Sequence, residues 1–242
     1  MKIDNAIIMA AGLSTRLVPL SLEKPKALID VKGEVLIERQ IRQIREAGID
    51  EIIIVSGYKA QMLEYLKDKY GLKIIYNPEY RERNNNYSIY MAKDYIRNSY
   101  ICSADNYFIE NPFRSSSDFP YYSAIKVDGQ TDEWILSWDD DGYIDNVEIG
   151  GSGGWVMLGP ALWDEDFSRQ FMEILESEVK KEESVGKLWE DIYADHLDIL
   201  KLKIKKYPKD YIYEFDNLAE LSLFDPKYIA YAESKGIALK LK

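Results

Sequence analysis

The residues best suited to chemistry lie within the first 28 positions. In Ile7-Ile8-Met9-Ala10-Ala11-Gly12-Leu13-Ser14-Thr15-Arg16-Leu17, an apolar run gives way to small residues, two hydroxyls and an arginine, and Lys24-Pro25-Lys26-Ala27-Leu28 follows. Ala10, Ala11 and Gly12 leave room for another molecule close against the backbone, and Gly12 permits positive φ. Successive backbone N–H groups on such a turn form an anion nest. Arg16, Lys24 and Lys26 supply the fixed charge that a polyphosphate needs. The stretch therefore reads as a triphosphate-binding loop that also carries catalytic cations. It is not a dinucleotide fingerprint, which needs three spaced glycines, nor a P-loop, which ends in Gly-Lys-Ser/Thr.

The elements that must position this loop alternate strand and helix. The apolar run before Gly12 is a buried strand. Leu36, Ile37, Ile41, Ile44 and Ala47 recur at helical spacing, with Gly48 as C-cap. Glu51–Val55 is a strand ending at Ser56-Gly57-Tyr58, a helix with Met62, Leu63 and Leu66 follows, and Lys73–Tyr76 is the next strand. Strands separated by single helices imply a parallel sheet. Tyr100–Asn106 is a strand ending in the carboxylate Asp105, and Tyr211–Asp216 is a late strand ending in another. Ligands of doubly wound sheets bind beyond the carboxyl ends of the strands, where a metal ligand belongs. Between them the pattern is β-rich: Tyr121–Val127, Glu133–Trp138 and Tyr143–Ile149 read as strands, with a hairpin turn at Asp139–Gly142. Gly150–Gly154 is compatible with a mobile substrate loop or a wide turn. Helices begin at Asp164 and near Leu188, and two more close the chain.

Composition narrows the chemistry. The net charge of −11, from 31 basic and 42 acidic residues, argues against nucleic acid as a partner. A nucleotide needs only a local cationic loop and a metal. Cys102 and His196 are each the sole residue of their kind, which excludes a disulfide, a cysteine metal site and a histidine zinc cluster. There is no apolar run of transmembrane length and no signal-peptide core, so membrane insertion is not expected and a cytoplasmic setting is.

The loop resembles the signature of nucleotidyltransferases that activate sugar phosphates and alcohol phosphates, roughly A-A-G-x-G/S-x-R followed by P-K, with Ser14 where many members have a second glycine. Over nearly its whole length the chain resembles the bacterial LicC-type CTP:phosphocholine cytidylyltransferases. Asn84-Asn85-Asn86-Tyr87-Ser88 is similar to their Asn-Asn-x-Tyr-Ser stretch, and the Gly-rich segment usual in sugar nucleotidyltransferases is missing. The resemblance implies an α/β, Rossmann-like three-layer fold with a mixed, mostly parallel sheet and a β-rich acceptor-binding part. One domain, 1–242, would comprise a nucleotide half to about residue 110 and an acceptor half beyond it.

It implies transfer of CMP from CTP to phosphocholine, with Lys26 and Arg16 catalytic and Mg²⁺ held by Asp105 and Asp216. Nucleotide contacts would come from Ala10, Ala11, Gly12, Leu13, Ser14, Thr15, Arg16, Lys26, Gly57, Tyr58, Asn84, Asn85, Ser88 and Ala104. Choline's quaternary ammonium requires aromatic faces and negative charge. Glu133-Trp134 and Trp189-Glu190 offer both, with Tyr213, Trp138 and Trp163 as further aromatic candidates. The acceptor is thus a small zwitterionic phosphate or phosphonate, and the resemblance leaves room for a homodimer. The alternatives are a cytidylyltransferase for 2-aminoethylphosphonate or phosphoethanolamine, a sugar-1-phosphate nucleotidyltransferase, and a non-catalytic nucleotide-binding regulator.

Overall fold

The computed structural model describes residues 1–240. Strand β1 (Asn5–Ala10) is the apolar run, with no exposed residue. The loop beyond it makes a 3-10 turn at Thr15–Leu17, a short helix α1 (Leu20–Glu23) and a second 3-10 turn at Lys26–Leu28. A ribbon of β2 (Asp30–Val31) and β3 (Glu34–Val35) leads into α2 (Leu36–Glu46), whose Ile37, Ile41 and Ile44 are fully buried. β4 (Glu51–Ser56) and β5 (Lys73–Tyr76) follow as expected, while the helix expected to bear Met62, Leu63 and Leu66 is divided into a 3-10 turn at Ala60–Met62 and α3 (Tyr65–Tyr70). Then come α4 (Asn85–Met91), β6 (Ser99–Ser103) and β7 (Asn106–Phe108). The chain continues through β8 (Tyr121–Trp138), β9 (Ile144–Trp163), α5 (Glu165–Glu178) and α6 (Trp189–Ala194). It closes with β10 (Lys203–Tyr207), β11 (Ile212–Glu214), α7 (Leu218–Phe224) and α8 (Lys227–Ser234).

Seven strands form the main sheet in the order β10-β8-β9-β6-β1-β4-β5. Only β9 runs against its two neighbours; the other four pairings are parallel. This is the mixed, mostly parallel sheet expected. Alternate residues of the central strands feed two cores on its opposite faces. Ile8, Ile52 and Ile54 pack with α2, whereas Ile7, Ile53 and Val55 share a cluster with Phe167, Phe171 and Leu175 of α5. Helices therefore cover both faces. A third cluster stands apart: Leu17, Leu20 and Ile29 from the loop region pack with Phe215, Leu218, Leu221 and Tyr228. The C-terminal helices thus clamp the loop.

One region departs from expectation. The strands read as Tyr121–Val127 and Glu133–Trp138 are one strand, β8, and Gly150–Gly154 lies inside β9 rather than in a mobile loop or turn. The hairpin folds back on itself, so Ile135 pairs with both Glu148 and Val156. Gly150, Gly151, Gly153 and Gly154 absorb the register shifts at φ of 76°, 149°, 70° and 151°. A Cβ on Gly154 would lie 2.7 Å from Ile135 Cγ2. The glycines permit a tight bend under a packed isoleucine, a contact invisible to local sequence.

Trp163 is fully buried at the end of β9, with ring centroids of Phe171, Phe167 and Trp189 at 4.6, 5.0 and 5.1 Å. Trp163→Ala should cost about 3–5 kcal/mol of folding free energy, read as a lowered urea midpoint; a loss below 1 kcal/mol would contradict this packing.

Candidate active site

Both candidate cations are held by carboxylates. Lys26 Nζ lies 2.7 Å from Asp105 Oδ2, 3.4 Å from Asp216 Oδ1 and 3.9 Å from Glu214 Oε1. Arg16 reaches the same Asp216 oxygen at 2.8 Å. The chain makes this cluster by pairing β7 with β11 antiparallel, Asn106 opposite Glu214. Asp105 immediately precedes one strand and Asp216 closely follows the other, so the pairing brings two sequence-distant carboxylates to one place.

Burial opposes the charge on Lys26, yet Asp105, then Glu214 and Asp216, hold its pKa above the ordinary lysine value. The Asp105 carboxylate, and burial after it, push Glu214 well above the usual carboxylate range. Burial, then Asp216, raises Glu133. Carboxyl groups outnumber cations here. Asp105 Oδ1 is also buried without a hydrogen-bond partner, which leaves a polar atom to be satisfied. A divalent cation with oxygen ligands meets both conditions, and Asp105 and Asp216 are the side chains that could hold it. Among the described residues no group of three or more acidic, histidine or cysteine side chains is arranged to hold a metal. Phosphate oxygens and water would have to complete the shell.

The cluster separates two cavities. The first, about 500 Å³, is lined by Ala11, Gly12, Leu13, Asn77, Ser88 and Gly186, with Asp105 and Glu214 at its edge. A small hollow of about 60 Å³ between Ala10, Ser14, Lys26 and Ala104 adjoins it. The second cavity, about 400 Å³, takes in Arg16, Tyr122, Glu133, Trp134 and Glu190, with Glu214 and Asp216 at its edge. Burial pushes Glu190 up to about 7, opposed by hydrogen bonds from Asn85 and Tyr122. Those two donors lie 3.1 Å from its two oxygens.

Gly12 does not adopt left-handed φ; a Cβ there would meet nothing within 4 Å, so it keeps the loop face open. The left-handed residue is Ser14, at φ 53° and ψ 45°. Thr15 starts the 3-10 turn that carries Arg16. Lys24 is the C-cap of α1. Gly57 and Tyr58 brace the loop from behind: Tyr58 N donates to Ala11 O at 3.0 Å, and a Cβ on Gly57 would sit 2.7 Å from Tyr80 Cβ.

The asparagines lie beside the first cavity but are engaged within the protein. Asn84 caps α4 by accepting from Asn85 N. Asn85 Oδ1 accepts from Trp189 N at 2.7 Å while its Nδ2 donates to Glu190. Ser88 Oγ accepts from Asn77 Nδ2 at 3.2 Å. Trp189 presents no face to a ligand: it is 1% exposed, stacked on Tyr122 at 5.4 Å and crossed by Trp163. Tyr213 packs on Phe224 at 4.5 Å and opens onto a cavity of about 430 Å³ that shares Glu133, Glu214 and Asp216 with the second. Trp163 is core, and Trp138 lies under Lys206 Nζ at 3.8 Å. Sequence reasoning missed Glu214, Tyr122, Asp132 and Asn77. Only Glu214 left a signal, two positions before Asp216 on a strand.

Comparison with known proteins gives the same picture. Residues 6–113 match the MobA-like NTP transferase domain family. The chain is 34% identical to the choline-phosphate cytidylyltransferase of Streptococcus pneumoniae, over 89% of this chain and 94% of that protein. It is also 34% identical to the 2-aminoethylphosphonate cytidylyltransferase of Lancefieldella rimae, over 93% of each. The solved structure of CTP:phosphocholine cytidylyltransferase (LicC) from Streptococcus pneumoniae superposes with a TM-score of 0.89 at 32% identity, covering 94% of this chain and 99% of that one.

The left-handed backbone at Ser14 can be tested without substrate. Ser14→Gly should keep stability within about 1 kcal/mol, whereas Ser14→Val should lose about 2 kcal/mol or more, because a β-branched side chain clashes there. Denaturant midpoints decide it; equal stability of the two variants would contradict the backbone geometry.

Proposed function

Because the chain belongs to the nucleotidyltransferase family and, within it, to the LicC-type cytidylyltransferases, we propose that it transfers CMP from CTP to phosphocholine, releasing pyrophosphate. The observation that carries this reading is the Lys26–Asp105–Asp216 cluster at the partition between two cavities, where a nucleotide α-phosphate and an acceptor phosphate would meet. The nucleotide occupies the first cavity, with its phosphates over Ala10 to Thr15, and the acceptor occupies the second. Asp105 and Asp216 fit Mg²⁺, which when bound neutralises and orients the triphosphate. A phosphate that lies between them and the loop draws Lys26 and Arg16 away from the carboxylates that hold them in the free protein.

The acceptor phosphate is largely dianionic near neutral pH, so the step needs no general base. An acceptor oxygen attacks the α-phosphorus in line, and the bond to the bridging oxygen breaks with pyrophosphate as leaving group. Lys26 donates to the α-phosphate as charge builds, Arg16 holds the departing β and γ phosphates, and backbone amides of the loop orient them. Catalysis is positioning plus electrostatic stabilisation. Glu190, with Trp134 and Glu133 nearby, takes the acceptor's cation. Trp134 contributes a cation–π contact worth roughly 0.5–2 kcal/mol. A CTP-consuming enzyme works where CTP is made, so we assign the reaction to the cytoplasm.

A second reading is favoured by the lining itself: Asp132, Glu133 and Glu190 outnumber Tyr122 and Trp134. Carboxylates suit a primary ammonium, as in 2-aminoethylphosphonate. A pyrophosphate-release assay crossing CTP, UTP, GTP and dTTP with phosphocholine, 2-aminoethylphosphonate, phosphoethanolamine and a hexose 1-phosphate separates them. CTP with phosphocholine should turn over fastest; preference for the phosphonate would replace the first reading by the second.

Lys26→Ala and Asp105→Asn should each lower kcat on the order of 10²–10³-fold in folded protein, and near wild-type turnover would remove the residue from its assigned role. The raised Glu190 pKa also fixes a pH dependence. Its carboxylate attracts a cation and its acid form does not, so the KM for the acceptor should rise as pH falls below about 7. Glu190→Gln should have a high acceptor KM that lacks this rise, measured against acceptor variation at saturating CTP. An unchanged rise in the variant would assign the titration to another group.

A further inference from the structure

Of three consecutive asparagines at the start of α4, Asn84 and Asn86 tie down the segment that joins α5 to α6, and Asn85 ties down the first turn of α6. Asn84 Nδ2 donates to Gly186 O at 3.1 Å, and Asn86 Nδ2 donates to Ser184 O at 2.8 Å. Asn84 N also donates to Val185 O at 3.2 Å. From Val185 to Leu188 that segment has no helix or strand of its own. These bonds fix it against α4 beside the first cavity, which Gly186 lines, while Lys187 and Leu188 are held by Asp195 and Asp191.

Asn85 makes the bond with chemical consequence. Its Oδ1 accepts from the backbone N–H of Trp189 at 2.7 Å, and its Nδ2 donates to Glu190 Oε2 at 3.1 Å. A carboxamide can accept from a backbone amide through its oxygen and donate to a carboxylate through its nitrogen at once. The other Glu190 oxygen accepts from the Tyr122 hydroxyl at 3.1 Å. Two neutral donors thus aim the carboxylate, and among the described residues no lysine, arginine or histidine pairs with it. Asn85 itself lines both cavities.

We propose that Asn85 is a positioning residue for the acceptor: anchored on Trp189, it holds the Glu190 carboxylate in the wall of the acceptor cavity and makes that wall continuous with the nucleotide cavity. This rests on the reading above that Glu190 takes the acceptor's cation. It reassigns Asn85 from reading the base to orienting the partner substrate. Asn84 and Asn86 fix the neighbouring wall by the same means, without touching Glu190.

Steady-state kinetics with CTP and phosphocholine test it in four variants whose folding is checked by thermal melts. Asn85→Ala removes both bonds. Asn85→Asp is isosteric, keeps the bond from Trp189 N–H and sets a repelling carboxylate oxygen where the donor to Glu190 was, so it stays informative if the alanine variant fails to fold. Both should raise the acceptor KM about tenfold or more, as for hydrogen bonds to charged groups, with the KM for CTP within about twofold. Glu190→Gln should do the same, and adding Asn85→Ala to it should cost little more, because the two residues act as one unit. A rise in the CTP KM as large as in the acceptor KM would make Asn85 a nucleotide contact and overturn the proposal, as would a full additional loss in the Glu190→Gln background. An unchanged acceptor KM in Glu190→Gln would overturn the acceptor assignment of Glu190 itself, a result distinct from the other two.

Discussion

The structure depends above all on one half-buried charge contact, Lys26 among Asp105, Glu214 and Asp216. A buried ammonium is stable only when paired, and buried carboxylates this close repel each other. The contact gathers three carboxyl groups around one ammonium and leaves one oxygen of Asp105 unsatisfied. A protein optimised only for stability would replace such a cluster with apolar residues. The imbalance makes sense when a divalent cation and a polyanion arrive together, since each offsets the charge the other brings.

Much of the remaining fold serves to hold that contact in place. The β7–β11 ribbon lies outside the main sheet and carries the flanking carboxylates from both halves of the chain. The third hydrophobic cluster packs the loop residues Leu17 and Leu20 against Phe215, Leu218 and Tyr228. Tyr228 donates to Asp30 O at 2.6 Å and Tyr231 to Glu23 at 2.9 Å, which ties the last helix to the segment after the loop. Rigid support of this kind preorganises charged groups before substrate binds, and preorganisation is what makes electrostatic catalysis effective. Beside the second cavity the same task falls to polar bonds from α4, because α6, which bears Glu190, is short and the residues just before it have no regular structure.

The local readings that held were those in which one physical signal dominated. Ile7 and Ile8 mark a strand, and Ile37, Ile41 and Ile44 mark a helix, because burial on one or both faces dictates the pattern. Where two signals competed, local reading failed. The glycines at 150–154 look flexible in sequence, yet they are held in a strand by Ile135, which approaches from elsewhere in the chain. Trp189 beside Glu190 looks like half of a cation cage, yet the tryptophan faces the core while its neighbour lines a cavity. Adjacent residues on a helix point in different directions, and which of them meets the ligand depends on where the helix packs.

The sequence alone determined the loop, its cations, the two carboxylates and the family they belong to, because phosphate and metal chemistry require particular residue types in a fixed order along the chain. Tertiary structure decided which of those residues share a site and which support it. It joined Asp105 to Asp216 through strand pairing, moved the left-handed turn from Gly12 to Ser14, and turned Asn85 toward Glu190. It also added Glu214 and Tyr122 to the cavity walls. Distances across the fold are set by the packing of whole elements, and no stretch of a few residues carries that information.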